Sequence, residues 1–577
     1  ELYYEEGLRR DPTDARLNCA YGNLLLRRGA FARSKEYFRR AIEKLTLKNA
    51  NPPVTDPFFG LAVAQMLSGE YAEAYDNFYK CIWTNENKSA AFYYLAALAL
   101  RRGDARKASE HARDSLLAYG RNVKALCCAG AACRGMGDEE GAARFFAEAE
   151  RADPLDCIAR YERALREGQP SAAFGEGVSD YEVTDAAKDY LLAGERARAR
   201  SLLEDYLRAR GGAGPAIDYY LGYIALETGG DCAPFVEAAG RHRDRIWFPN
   251  RLFDIVVLQA LEEVSPHPFT EYSLGNAFYD KRQYDTAAAY WQESVQRDPH
   301  FPAALRNLAL YYYNKKGDAE AAVCSLEKAF HQDRGNARLL LELFQLYRRI
   351  GRSEAQQLSF LQANAETAAK RDDLWLEYIG LVCPQDPVRA EQLLLARRFH
   401  PWEGGEGKTT RLYKRIKIAL YFEYKRRGDP RKAIEKLREA LICPENLGEG
   451  KLILDNDNDV HYFLGEGYEA CGEATAARAE YTLAAKGSCA LADDVYYNDT
   501  PVEYVFYIAK AYKKLGDACR AEEIAESMRR YARENKGRKK SIDYFAVSLP
   551  DLLIWEEDID ERNRRFCARL EELASQI

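Results

Sequence analysis

This chain of 577 residues is 47% apolar and 30% charged, which supplies a large core and leaves no polar tract of the kind that stays disordered. Its 90 acidic and 83 basic residues are interspersed and sum to a net charge of -7, without the basic stripe a nucleic-acid surface needs. The longest apolar run, Ala90 to Leu100, is too short to span a bilayer, and no secretory signal opens the chain.

In chain order, Glu1-Leu2-Tyr3-Tyr4-Glu5-Glu6 reads as the second helix of a repeat whose first helix is missing, so the sequence is expected to be part of a longer polypeptide. A phrase then recurs: a helical run, a short turn carrying Gly, and a second helical run. The turns fall at Gly29, Gly69, Gly103 and Gly137, and again at Gly317, Gly351, Gly428, Gly472 and Gly516. Gly69 to Gly103, Gly103 to Gly137 and Gly317 to Gly351 are each 34 residues, the tetratricopeptide period.

The clearest repeats place a small residue 7 positions before the turn and an aromatic in the second helix, as in Gly130 with Phe146. Gly22 with Phe38, Gly275 with Trp291 and Gly465 with Tyr481 echo that pair. The small residue lets paired helices approach and the aromatic fills the space between repeats. Strand-like alternation is not sustained anywhere. The expected fold is therefore all-α, a right-handed tetratricopeptide-repeat α-solenoid superhelix of about 12–13 helix-turn-helix repeats and roughly 25 helices.

Breaks in the period divide the array. The first, Gly168 to Gly177, reads as a loop; the others are Trp247 to Arg251, Phe399 to Gly407, and Cys443 to Asn458 with Pro444 to Gly450 at its heart. They suggest an N-terminal block over 1–165, a degenerate block over 166–265, a central block over 266–400, a block with long loops over 401–535, and a capping extension over 536–577. A final helix is expected over Glu557 to Ser575.

Fourteen cysteines form no CxxC pair and only seven histidines accompany them, so no metal is expected and the thiols read as small core residues in a reducing, cytoplasmic setting. No nucleophile elbow or zinc-helix signature occurs, so no catalytic residue and no cofactor is assigned. Gly407-Lys408-Thr409 mimics the end of a phosphate-binding loop, but the leading Gly would fall at Trp402 and no strand precedes it.

First helices of such repeats line the concave face. In register, Tyr272 and Asn276 share that face with Arg306 and Asn307 of the next repeat, in part resembling the carboxylate clamp of co-chaperone tetratricopeptide domains. Tyr272 stands where that clamp needs Lys, and Glu342 where it needs Arg, so most of the attraction for a carboxylate is missing. Arg371, with Asp372 and Asp373, opens a further repeat, and one of the two aspartates is expected to cap its helix. The least repeat-like string, His400-Pro401-Trp402-Glu403-Gly404-Gly405-Glu406-Gly407-Lys408, gathers a Trp, two carboxylates and a His among three turn-permitting glycines. It reads either as a structural loop or as a binding loop in which Trp402, Glu403 and Glu406 meet a sugar.

Trp247 to Arg251, Tyr272 to Asn276, Arg306-Asn307-Leu308, Phe399 to Gly407, Pro444 to Gly450 and Asp543 to Ala546 together resemble a family of large bacterial proteins of unknown function. These pair an N-terminal β-rich domain, similar to the sugar-mutarotase supersandwich, with a long tetratricopeptide array. The resemblance implies a β domain upstream of Glu1 and some carbohydrate handling by it. Two roles follow: a scaffold whose concave groove binds a protein, a peptide or the chain's own N-terminal domain, or an accessory half lending groove residues to a sugar site.

Overall fold

The computed structural model describes residues 1–212, 214–243, 247–402, 404–452, 455–492, 499–541 and 554–577. Every regular element among them is helical, and 31 α-helices follow one another in chain order. The number exceeds the roughly 25 expected and includes short helices such as Ala365–Ala368.

All nine turn glycines adopt the left-handed conformation, with φ between +67° and +94°, which ends a helix without the Cβ penalty. Where Asp follows, it caps the next helix. Asp104, Asp138, Asp318, Asp429 and Asp517 each accept a main-chain N–H three residues on, at 2.8–3.0 Å. One Gly-Asp pair thus stops one helix and starts the next.

The small residues matter for the reason read from the sequence. A Cβ on Gly130 would lie 2.8 Å from the Phe146 ring, and on Gly275, Gly465 and Gly22 it would lie 2.3–2.8 Å from Trp291, Tyr481 and Phe38. Each aromatic is buried against a bare helix backbone. The fourteen cysteines are free thiols, and Cys81 is fully buried, its thiol pushed up to about 12 by burial.

The chain divides into two compact units, Glu1–Ala304 and Leu305–Ile577. The first fills its own interior. Leu252 packs on the cluster of Leu26, Phe38 and Leu61, and Gln283 Nε2 donates to the Arg28 carbonyl at 2.6 Å. Arg101 donates to the Leu191 carbonyl at 2.8 Å, while Lys124 pairs with Asp189 at 2.9 Å. The Gly168–Gly177 break is a plug rather than an open loop: Phe174 is buried between Tyr161 and Tyr206. Arg251, in the second break, is held by Asp254 at 2.9 Å and by the Thr184 hydroxyl at 2.7 Å.

In the second unit, helix Lys408–Arg426 has two cationic faces. Lys414 and Lys417 point inward and are 4% and 2% exposed. Lys414 pairs with Asp455 and Asp457, and Lys417 with Glu391 and Glu439. Lys408, Arg411 and Arg415, spaced as one helical stripe, face a groove instead.

Candidate functional site

That groove has a volume of about 670 Å3 and is walled by helices Ala337–Arg349, Asp372–Val382 and Lys408–Arg426, each the first helix of its repeat. Among the described residues, six cations line it, Arg338, Arg348, Arg371, Lys408, Arg411 and Arg415, with the carboxylates of Glu342, Asp373 and Glu377. The carboxylates are already engaged: Glu342 with Arg338 at 2.9 Å, Glu377 with Arg348 at 3.0 Å, and Asp373 with Arg371 at 2.6 Å. These three arginines remain 42–61% exposed, so their pairs are weak and exchangeable in water. Arg415 donates to the Gly380 carbonyl at 2.7 Å. Among the described residues the lining thus holds more cations than carboxylates, in a chain that is negative overall.

Trp402 lines the groove and also a second pocket, of about 250 Å3, with His400 and Glu406. The structure thus brings Arg371, His400, Trp402 and Glu406 into neighbouring cavities of one unit. Trp402 is half-buried: it packs on the core around Phe399 and Leu412, and its indole lies so close over Gly405 that an added Cβ would sit 2.1 Å away. His400 is exposed, with Nδ1 at 3.1 Å from Asp372. Glu403 lies outside the described residues.

The clamp-like set behaves differently. Tyr272 and Asn276 belong to the first unit, where Tyr272 is half-buried against Phe301 with ring centroids 4.9 Å apart and Asn276 is buried. Arg306 and Asn307 belong to the second, where Arg306 makes a bidentate pair with Glu342 at 2.6 and 2.7 Å and also donates to Asn307. The Arg306 guanidinium is thereby committed to an internal carboxylate.

The expected aspartate cap is met only in part: Asp373 accepts the first-turn Leu374 N–H at 2.7 Å, but neither aspartate stands at the N-cap. The N-cap position of helix Asp372–Val382 is Arg371, with no side-chain cap bond. Asp373 pairs with Arg371, and Asp372 turns to the loop, accepting from the His400 N–H at 2.9 Å and from Arg397. Burial opposes the charge on Asp372, yet those donors hold its carboxyl below the usual carboxylate range.

The two breaks at Phe399–Gly407 and Pro444–Gly450 form one knot, which periodicity did not reveal. The Phe399 N–H donates to the Asn446 carbonyl at 2.8 Å, and Asn446 Nδ2 donates to the carbonyls of Leu394 and Arg397 at 3.0 and 2.9 Å. Glu449 then occupies the start of helix Lys408–Arg426, accepting from the N–H groups of Gly407 at 2.8 Å and Thr409 at 3.1 Å. The place a phosphate would take in a phosphate-binding loop is filled by the chain's own carboxylate.

A tetratricopeptide-repeat family model matches residues 272–337. The fold is a tetratricopeptide-repeat α-solenoid. Similar chains occur in the crystal structure of the APC/C hetero-tetramer Cut9-Hcn1, 14% identical over 85% of this chain and 95% of that one, TM-score 0.24. Another is yeast Tom70, 12% identical over 80% and 95%, TM-score 0.23; overlays this loose add nothing to the helix pairing described above. Among the described residues, no three His, Cys, Asp or Glu side chains cluster to hold a metal ion, and no helix is long and apolar enough to cross a membrane.

Proposed function

We propose that the groove of the second unit binds an extended acidic polypeptide segment, making this tetratricopeptide array a scaffold for protein partners. The observation that supports the reading is charge: among the described residues, six cations and three carboxylates line one groove of a chain whose net charge is -7. Guanidinium forks suit carboxylates geometrically, and a cationic cleft with low-dielectric walls raises the local concentration of an anionic partner. The resemblance to β-rich, array-bearing bacterial proteins offers the protein's own upstream domain as one source of that segment.

Fluorescence anisotropy with labelled acidic and basic peptides tests this. The acidic set should bind, weaken steeply as ionic strength rises and the Debye length shrinks from about 30 to 3 Å, and lose at least about tenfold in an Arg371→Glu/Arg415→Glu variant. Equal binding of basic peptides, or indifference to the double charge reversal, refutes it.

A sugar site is the second reading, carried by the pocket that His400, Trp402 and Glu406 share. It has the narrower basis, because the indole already spends contact on Gly405 and the core. A glycan array read with the full chain and with Trp402→Ala decides it: no glycan retained by the full chain ends the sugar reading.

A further inference from the structure

The stretch before the last helix returns to the opening helices of the second unit. The carboxamide of Asn314 holds its main chain on both sides of Trp555: Nδ2 donates to the Ile554 carbonyl at 2.7 Å, and Oδ1 accepts from the Glu556 N–H at 2.8 Å. Between those bonds the Trp555 side chain is 1% exposed. Its ring meets Tyr313 edge to face, centroids 5.4 Å apart, and its Nε1 donates to the Glu342 carbonyl at 3.0 Å. Two carboxylates follow: Glu556 pairs with Lys315, and Glu557 with Arg349 at 3.3 Å. Main-chain capture by an amide, one buried aromatic and flanking charge pairs are the means by which grooves hold extended peptides.

The backbone is shaped for this contact. Ala309 to Gly317 is 8 residues where Gly130 to Gly137 is 7. The extra residue is absorbed as a π turn over Tyr312–Lys316, the turn that supplies Tyr313, Asn314 and Lys315. Glu342 joins this seat to the basic groove: its carbonyl takes Trp555, its carboxylate holds Arg306 and Arg338, and Ile554 lines the groove wall.

We propose that Ile554–Glu557 is a tethered stand-in for the groove's partner, and that the partner carries a tryptophan followed by two carboxylates and replaces it on binding. This rests on the acidic-peptide reading and adds to it the anchor and the gate. The tether is short: Ile559 begins a helix whose Cys567, Leu570 and Leu573 are buried in the terminal core. An effective concentration of about 1 mM against a seat of about 0.1 mM affinity would weaken a competing peptide about tenfold.

The test uses a labelled peptide of sequence Ile-Trp-Glu-Glu-Asp-Ile, copied from residues 554–559, with the full chain, with Trp555→Ala and with Trp555→Ala/Asn314→Ala. It should bind Trp555→Ala about tenfold more tightly than the parent, and the added Asn314→Ala should abolish that gain. Equal binding to the parent and Trp555→Ala, or no loss with Asn314→Ala, overturns the proposal. A melt and far-ultraviolet circular dichroism check that the variants fold. If they do not, hydrogen exchange on the parent decides: saturating peptide should speed exchange at the main-chain amides of Trp555–Glu557, and no change there refutes displacement. An acidic peptide without tryptophan that binds all three proteins alike overturns the stand-in while leaving the groove reading in place. Failure of every acidic peptide to bind any of the three overturns the groove reading and, with it, this proposal.

Discussion

Replacing Glu449 with Ala tests how the two irregular loops are joined. The N-cap position of helix Lys408–Arg426 is Gly407, at φ +76°, which brings no side chain to the helix start. The Glu449 carboxylate does that work from 42 residues away, taking the Gly407 and Thr409 N–H groups at 2.8 and 3.1 Å, the Thr410 N–H at 3.4 Å, and the Thr409 hydroxyl. Loss of a capping acceptor costs about 0.5–2 kcal/mol, and loss of a negative charge at a helix N-terminus about 0.3–1 kcal/mol more. Water reaches this half-exposed site and recovers part of that, which leaves about 2 kcal/mol. A whole-chain melt reports such a loss poorly, because repeat arrays do not unfold as one two-state body. Hydrogen exchange resolved to residues 407–410 is the suitable assay, and 2 kcal/mol corresponds there to about a thirtyfold fall in protection. Glu449→Gln keeps an acceptor without the charge and should fall between parent and Ala. Protection in Glu449→Ala within about threefold of the parent would refute the capping role.

Gly448→Ala should loosen the same knot by about 3 kcal/mol, since φ is +75° and the new Cβ would lie 2.2 Å from the Phe399 carbonyl oxygen; the Phe399 amide should lose its exchange protection. Lys417→Met leaves Glu391 and Glu439 with Lys436 alone, at 3.3 and 3.0 Å, and should cost about 2–3 kcal/mol in denaturant unfolding followed in the second unit. Adding Glu439→Gln should recover a good part of that loss; no recovery would count against an ionic cause. Glu262, in the first unit, has its carboxyl pushed up to about 8 by burial and by the neighbouring Glu271. The folded state then keeps a proton that the unfolded chain releases near pH 4.5, so this contribution is full below that pH and is lost as pH rises through about 8. Discounted for partial exposure, the loss is about 1 kcal/mol, and Glu262→Gln should flatten the slope of urea stability between those values.

The array was legible because its turns use residues with one conformational job. Nine glycines at φ above zero, and four small residues facing Phe146, Trp291, Tyr481 and Phe38, were visible as spacing alone. One turn escaped notice because Arg282, at φ +59°, takes the glycine's place. The basic groove was harder to see, because its cations come from three repeats and never form a run in the sequence. The partnership of Phe399–Gly407 with Pro444–Gly450 was invisible for a related reason: the repeat period relates each unit to its neighbour, whereas Asn446 reaches back 52 residues to Leu394. Glu449 gains its role only from that docking, which places it at a helix start. Of the irregular string itself, His400, Trp402 and Glu406 line one pocket, a grouping that the loss of period pointed to without naming any chemistry.

A coil stretches easily when successive turns touch only their neighbours. In the first unit, Leu252 on the Leu26 cluster and Gln283 on the Arg28 carbonyl, the latter spanning 255 residues, bridge turns that are far apart along the chain. Tension on this unit would load those bridges side by side instead of unrolling repeats one after another. It should therefore resist like a closed clasp and lengthen only when the bridges give way together, as one step in a force–extension trace.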